Sequence, residues 1–271
     1  MASPTWTDEM AARWGAFPPP IRPYGEEVAL MKQLVEQRMQ EVDGVRLLVL
    51  GSTPELRDLA ADLGLVPTVV DYSRQHYDAL TKLMVRQGTP ENFIQSNWLE
   101  FHATEKYDIV LSEAAFNVVD RQDSDALYQQ CFNWLKPDGL LLAKTWVRPP
   151  GVSQPLENLL VDFRNTEEEA LGFYSHACIP LILCFYNYED ESILLSDFAA
   201  GCERAYASDL IGRSEWMSIA MHSYESSNLR LYIPQEHALL SSLDPLFRLD
   251  QVMTIEAANA RYHPIYVLTR R

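Results

Sequence analysis

An open α/β sheet with mostly parallel strands is predicted by three observations. The apolar run Val45–Leu50 breaks at Gly51, and a helix signal follows at once in Thr53-Pro54-Glu55. A second apolar run closes on the acid Asp71 about twenty residues further on, the spacing of a nucleotide-binding βαβ unit whose carboxylate holds a ribose. Strand and helix patterns then keep alternating as far as Trp146. Strands that are apolar nearly throughout are those of a parallel sheet covered on both faces.

Each element follows from its residues. Residues 1–24 are rich in proline and tryptophan; Pro18-Pro19-Pro20 and Pro23 exclude a helix and leave the segment extended over the core. From Gly25 to about Glu41, Val28, Met31, Val35 and Met39 recur at three- or four-residue steps, an amphipathic helix, and Asp43-Gly44 turns the chain. Val45–Leu50 is the first strand. Thr53 suits a helix cap, Pro54 the first helical position and Glu55 the positive helix end, while Gly64 stops the helix. Thr68–Asp71 reads as the second strand, Arg74–Arg86 as a helix, Phe93–Ser96 as the third strand and Tyr107–Ser112 as the fourth. A helix over Ser124–Leu135, a turn at Lys136-Pro137-Asp138-Gly139 and a fifth strand at Leu140–Trp146 complete the alternation.

The character changes after Arg148-Pro149-Pro150-Gly151. Roughly residues 155–230 read as helical and aromatic-rich, without glycine-cornered strands. A helix at Gln235–Ser242 then precedes two closely spaced strands, Phe247–Ile255 and Ile265–Arg270, which pair most simply as antiparallel neighbours. The expected divisions are residues 1–44 for an N-terminal segment and helix, 45–150 for a cofactor-binding core, 151–234 for a helical lid or substrate insertion, and 235–271 for a final helix and antiparallel strand pair that complete the core.

Bulk properties narrow the function. The 271 residues are 47% hydrophobic and 22% charged, as expected of a soluble globular protein. No apolar run approaches the roughly 18 residues of a membrane span, and the N-terminus lacks the pattern of a signal peptide. The four cysteines show no paired spacing, which suits a reducing cytoplasm, and the six histidines are dispersed with no metal-ligand pattern. A formal charge of −16 argues against a nucleic-acid surface. The short acidic runs Glu167–Glu169 and Glu189–Glu191 read as solvated faces, or as a surface recruiting a cationic substrate.

Five successive segments over residues 45–147, with the closing strand pair, resemble the class I S-adenosylmethionine-dependent methyltransferases. Leu47–Leu56 stands where that family has its glycine-rich first motif, and Val69-Val70-Asp71-Tyr72-Ser73 resembles the acidic end of its second strand. Gln95-Ser96-Asn97-Trp98-Leu99 resembles the segment beside the adenine, Tyr107–Glu113 the fourth strand, and Leu135–Leu141 the turn into the fifth. The resemblance implies a Rossmann-like, seven-stranded, mostly parallel sheet with an antiparallel final strand, plus a helical insertion acting as lid. It also implies S-adenosyl-L-methionine as cofactor. The first motif departs from the family's Gly-x-Gly-x-Gly: Gly51, Thr53 and Glu55 fill the glycine positions and Val49 replaces the preceding acid. This Leu-Gly-x-Thr-Pro-Glu-Leu version resembles a separate branch. A glutamate is tolerable beside the donor's ammonium, whereas beside a pyrophosphate it would cost on the order of 4 kcal/mol at about 4 Å and an effective dielectric near 20.

The residues expected at the cofactor are Gly51, Ser52 and Thr53 of the first loop, with Glu55 either facing the donor or serving only the helix terminus. Asp71 is the ribose acceptor or a loop acid, with Tyr72 and His76 after it. Asn97 and Trp98 stand at the adenine, with Trp98 alternatively filling the core. Ser112 ends the fourth strand, and Arg22 is placed to meet the donor carboxylate. Glu113 could face the donor or position an acceptor, and His176 or His222 could act as general base from the lid. Lys144, Trp146 and Arg148 alternate at the fifth strand's end, where one face could meet the acceptor. Phe173, Tyr174, Tyr186, Trp216 and Tyr224 are expected to supply aromatic lid walls.

The function expected is methylation of a small-molecule O or N nucleophile. Expected partners are that acceptor, no nucleic acid, no membrane and a homodimer as an open possibility. A non-catalytic binding or partner module on the same fold is the alternative, motivated by the altered first motif. An NAD-dependent oxidoreductase is disfavoured by the missing glycines.

Overall fold

The computed structural model describes residues 14–150, 155–166, 169, 172–220 and 229–271. Helix α1 (Gly25–Glu41) leads into β1 (Leu47–Leu50), α2 (Pro54–Asp62), β2 (Thr68–Asp71), α3 (Arg74–Thr81) and β3 (Asn92–Gln95). There follow β4 (Tyr107–Glu113), the single turn α4 (Ala115–Val118), α5 (Ser124–Trp134) and β5 (Leu135–Lys144). The sheet order is β3-β2-β1-β4-β5-β9-β8, in which β8 (Phe247–Met253) and β9 (Ile265–Arg270) are the predicted closing pair. The first five strands pair in parallel, and β9 runs antiparallel to both β5 and β8. This is the predicted Rossmann-like seven-stranded sheet.

Strand alternation divides the core into two layers. Leu47, Val49, Ile109 and Leu111 pack with Met31 and Val35 of α1 and Leu56 and Leu59 of α2. On the other face, Leu48, Leu50 and Val110 pack with Leu127, Cys131 and Trp134 of α5 and with α10 (Glu236–Leu243). Both faces are covered, so the strands needed no polar alternation.

Between β5 and α10 the chain builds a cover. It contains α6 (Leu156–Arg164), α7 (Phe173–Cys184), β6 (Ser192–Leu194), α8 (Leu195–Ala207), α9 (Arg213–Ala220) and β7 (Arg230–Tyr232). Helix α7 is apolar nearly all round, the signature of a buried central helix. Its Phe173, Tyr174, Cys178 and Ile179 join one cluster with Trp14, Phe17, Leu80 and Trp146, so the cover shares a core with the N-terminal segment and the sheet's carboxyl edge. Among the described residues, no helix is long and apolar enough to cross a membrane.

Three local expectations are corrected. The cover is not wholly helical, because β6 and β7 pair antiparallel. Helix α3 stops at Thr81 rather than Arg86, since Asp58 takes the amides of Val85 and Arg86 at 2.9 and 2.7 Å and draws the chain out of the helix. The turn at Lys136–Gly139 is a bulge inside β5, where the register passes from Tyr107↔Leu135 to Ile109↔Leu140. Glycine is needed at position 139, because a Cβ there would meet Leu135 Cδ2 at 2.9 Å and the Tyr107 carbonyl at 3.0 Å.

Candidate active site

A cavity of about 420 Å³ opens at the carboxyl ends of β1, β2 and β4, where ligands of such sheets bind. Gly51, Ser52, Thr53, Asp71, Tyr72, His76, Asn97, Trp98 and Glu113 all line it. Nine of the residues expected at the ligand are thus brought together.

Local geometry explains why. Gly51 leaves β1 with φ +84°, a left-handed conformation that glycine adopts without a Cβ penalty. Its amide donates to the Val70 carbonyl at 2.9 Å, and the same carbonyl accepts from Trp98 Nε1 at 2.8 Å. Trp98 is thereby held beside Gly51, within the cavity wall. The Asp71 carboxylate is pre-oriented: Oδ2 accepts from Ser52 Oγ at 2.6 Å and Oδ1 from the Ser73 amide at 2.9 Å. An ionised carboxylate offers about four lone-pair sites, so capacity remains for two hydroxyl donors. Ser73 also caps α3 by accepting from the His76 amide, which sets His76 Nδ1 3.9 Å from Asp71 Oδ1. Asn97 Oδ1 takes the Leu99 amide at 3.0 Å, and Tyr72 stands exposed at the rim.

Glu113 ends β4 at the cavity wall. Its Oε1 lies 3.1 Å from Lys144 Nζ, which also lies 3.1 Å from Glu27 Oε2 and donates to the Pro20 carbonyl. Glu27 in turn meets His263 Nδ1 at 2.7 Å, and His263 Nε2 meets Asn259 Oδ1 at 3.0 Å. One buried ammonium is therefore shared by two buried carboxylates. Burial pushes the Glu113 carboxyl up to about 7, against the pull of Lys144 and with help from the charges of Glu27 and Glu55. Burial also opposes ionisation of Glu27, yet the His263 hydrogen bond and the Lys144 charge bring it below its ordinary value.

Other expected site residues stand elsewhere. Glu55 does not line the cavity: both its oxygens accept from Trp14 Nε1 at 3.1 Å, and Arg22 Nη1 lies 3.8 Å from Oε1. Arg22 is correspondingly committed to Glu55 rather than open to a donor carboxylate. Thr53 lines the cavity, but its side chain makes no capping bond. Ser112 is fully buried because, one residue before Glu113, its side chain points to the opposite face of the strand. His176 packs edge-on to Phe163 with ring centroids 5.3 Å apart, away from the cavity. It lies six residues before the cavity-lining Ile182 on α7, about 240° round the helix. His222 and Tyr224 lie outside the described residues. Phe173, Tyr174 and Tyr186 are buried in the cover, and Trp216 stacks on Tyr206; of the cover's aromatic residues, Tyr232 on β7 lines the cavity, beside Ile182 and Leu195. Of the alternating trio on β5 and beyond, Trp146 alone reaches the cavity; Lys144 is buried, and Arg148 pairs with Glu191.

Residues not anticipated from the sequence also wall the site. Trp14 and Ile21 come from the N-terminal segment, and Leu229–Tyr232 from the cover. Asn117, fully buried on α4, donates to the carbonyls of Trp146 and Tyr232 at 2.8 and 2.7 Å and accepts from the Trp146 amide. It pins β7 above the sheet edge. A polar residue inside the apolar stretch Ala114–Val119 was the available signal.

Comparison with known proteins agrees with the fold. Residues 50–139 match a family model described as a methyltransferase domain. No curated protein sequence matches. Among solved structures, the CcbJ methyltransferase from Streptomyces caelestis is 14% identical, aligned over 100% of this chain and 99% of that one, with a TM-score of 0.62. A Rhodobacter sphaeroides protein described as a zinc-dependent alcohol dehydrogenase is also 14% identical, over 96% and 94%, with a TM-score of 0.61. The 1,6-didemethyltoxoflavin-N1-methyltransferase of Burkholderia thailandensis, solved with 1,6-didemethyltoxoflavin and S-adenosylhomocysteine, is 10% identical over 100% and 93%, at 0.52. Identities this low carry the fold and not the chemistry. The chain thus has the Rossmann-like methyltransferase fold, and its residues 50–139 match a methyltransferase domain.

Proposed function

We propose that this chain is an S-adenosylmethionine-dependent methyltransferase acting on an O or N nucleophile of a small molecule, in the cytoplasm. The observation that carries the proposal is the cavity's recognition set: Asp71, pre-oriented with spare acceptor capacity, together with Asn97 and Trp98. These residues fit an adenosine. They do not fit a pyrophosphate, since the loop after β1 has one glycine, with Thr53 and Glu55 at the other two positions of the Gly-x-Gly-x-Gly pattern. That disfavours a dinucleotide ligand. On this proposal the Leu50–Leu56 motif marks a branch of the family in which the first loop has lost its further glycines.

Asp71 would hold the ribose hydroxyls, with Asn97 and Trp98 against the adenine. S-adenosylmethionine, when bound, supplies an electrophilic methyl group on a sulfonium. The rest falls to the chain's own residues. Trp14, Ile21 and the cover exclude water, and confinement of the acceptor supplies alignment. Glu113, with one oxygen tied to Lys144 and a carboxyl near neutrality, can take the proton of a protonated nucleophile through its other oxygen.

Calorimetry with S-adenosylmethionine, S-adenosylhomocysteine and NAD tests the proposal. Binding of the first two and not of NAD is expected. No heat from either at millimolar ligand would defeat it, and binding without turnover of any acceptor would favour a non-catalytic module.

A further inference from the structure

The cavity extends beyond the adenosine end. Past Glu113 it runs over α4 and the end of β5, between Val118 and Trp146 below and Ile182 and Leu195 above, with β7 at its rim. This end is apolar, and β7 roofs it because Asn117 holds the Tyr232 carbonyl. An acceptor would occupy it, since the adenosine residues stand at β1, β2 and the loop after β3.

The charges lining the cavity are unequal in their commitments. Three carboxylates are present, and each has a partner in the chain: Asp71 in Ser52 and Ser73, Glu113 in Lys144, and Asp120 in the Tyr232 hydroxyl. One arginine lines the cavity, Arg230, an exposed residue on the same face of β7 as Tyr232. Arg230 Nη1 donates to Ser192 Oγ at 2.8 Å, a neutral acceptor, and no described carboxylate lies within ion-pair distance. Its neighbours differ: Arg148 and Arg121 both pair with Glu191, at 2.6 and 2.8 Å. In a chain of net charge −16, an arginine kept off every described carboxylate at the mouth of an apolar pouch is suited to an anion brought from outside. Its planar fork matches a carboxylate in particular.

We propose that the acceptor is an apolar, ring-sized small molecule bearing a carboxylate, with Arg230 gripping that carboxylate while the ring fills the apolar pouch. The proposal rests on the function proposed above and names the substrate class of the same site.

The test uses the whole chain saturated with S-adenosylhomocysteine and titrated calorimetrically with anthranilate and salicylate, and with their uncharged methyl esters. A charged hydrogen-bonded contact predicts acids binding about 10- to 100-fold tighter than esters. Arg230→Gln should erase that preference while leaving ester binding and S-adenosylhomocysteine affinity intact, and Arg230→Lys should restore part of it. Equal affinity for acids and esters, or no acid binding, overturns the proposal. So does an Arg230→Gln variant that loses S-adenosylhomocysteine instead, since Arg230 would then hold the donor's own carboxylate. If S-adenosylhomocysteine fails to bind the parent protein, the methyltransferase function falls, and the acid-over-ester preference of the unloaded protein still decides the role of Arg230.

Discussion

Substituting Glu113 by glutamine keeps the shape of the side chain and its bond to Lys144 but removes the titration. The folded carboxyl is held near 7, against an ordinary value of 4.5. Between those two values the folded chain keeps a proton that the unfolded chain has released. Stability therefore falls as pH rises through that window and is level above it. The separation corresponds to about 3 kcal/mol, at about 1.4 kcal/mol per pH unit. Glu27, the other carboxylate on Lys144, is displaced downward, so its contribution is lost only as pH falls below about 4.5, a separate window. Urea unfolding of the parent and of Glu113→Gln at about pH 5 and about pH 7.5 isolates the effect. The parent should lose up to about 3 kcal/mol more than the variant between the two conditions. Parallel pH dependences would show that Glu113 does not titrate between the two conditions and that burial does not raise its carboxyl.

Asp71→Ala should weaken S-adenosylhomocysteine binding at least tenfold in calorimetry, the order of a lost charged hydrogen bond, while the sheet's far-ultraviolet circular dichroism is unchanged. Lys144→Met leaves two buried carboxylates without their cation and should cost about 3–5 kcal/mol in urea unfolding; adding Glu113→Gln should recover part of that loss. Gly201→Ala in α8 would set a Cβ 2.4 Å from Phe185 Cδ1, and overpacking of this kind costs about 1–3 kcal/mol. Its thermal midpoint should drop, and an unchanged midpoint would mean that the Phe185 ring moves aside freely.

Legibility differed between the two halves of the site. Gly51, Asp71, Asn97 and Trp98 stand at or just after strand ends, so a pattern of apolar runs closed by special residues locates them at one sheet edge. Glu55 misled because its position in the first turn of α2 fixes its backbone, while its carboxylate direction depends on Trp14, 41 residues earlier. His176 misled for a similar reason. An aromatic-rich helical stretch announces a cover, but which helix face meets the cavity depends on packing against α6. Phe173, Tyr174 and Tyr186 went inward to fill the cover's own core, and Ile182 and Leu195 were left at the cavity.

By itself the sequence determined the mostly parallel sheet with its antiparallel close, and the residues at one end of the cavity, because these rest on local periodicity and on residues adjacent to strand ends. Only the tertiary structure decided the rest. It joined Glu27, Glu113, Lys144 and His263 into one buried charge cluster, and it swung Arg230 and Tyr232 over α4. Apart from Glu113–Lys144, such contacts pair residues more than a hundred positions apart. Their energy comes from desolvation and geometry that no stretch of chain contains until the core has closed around it.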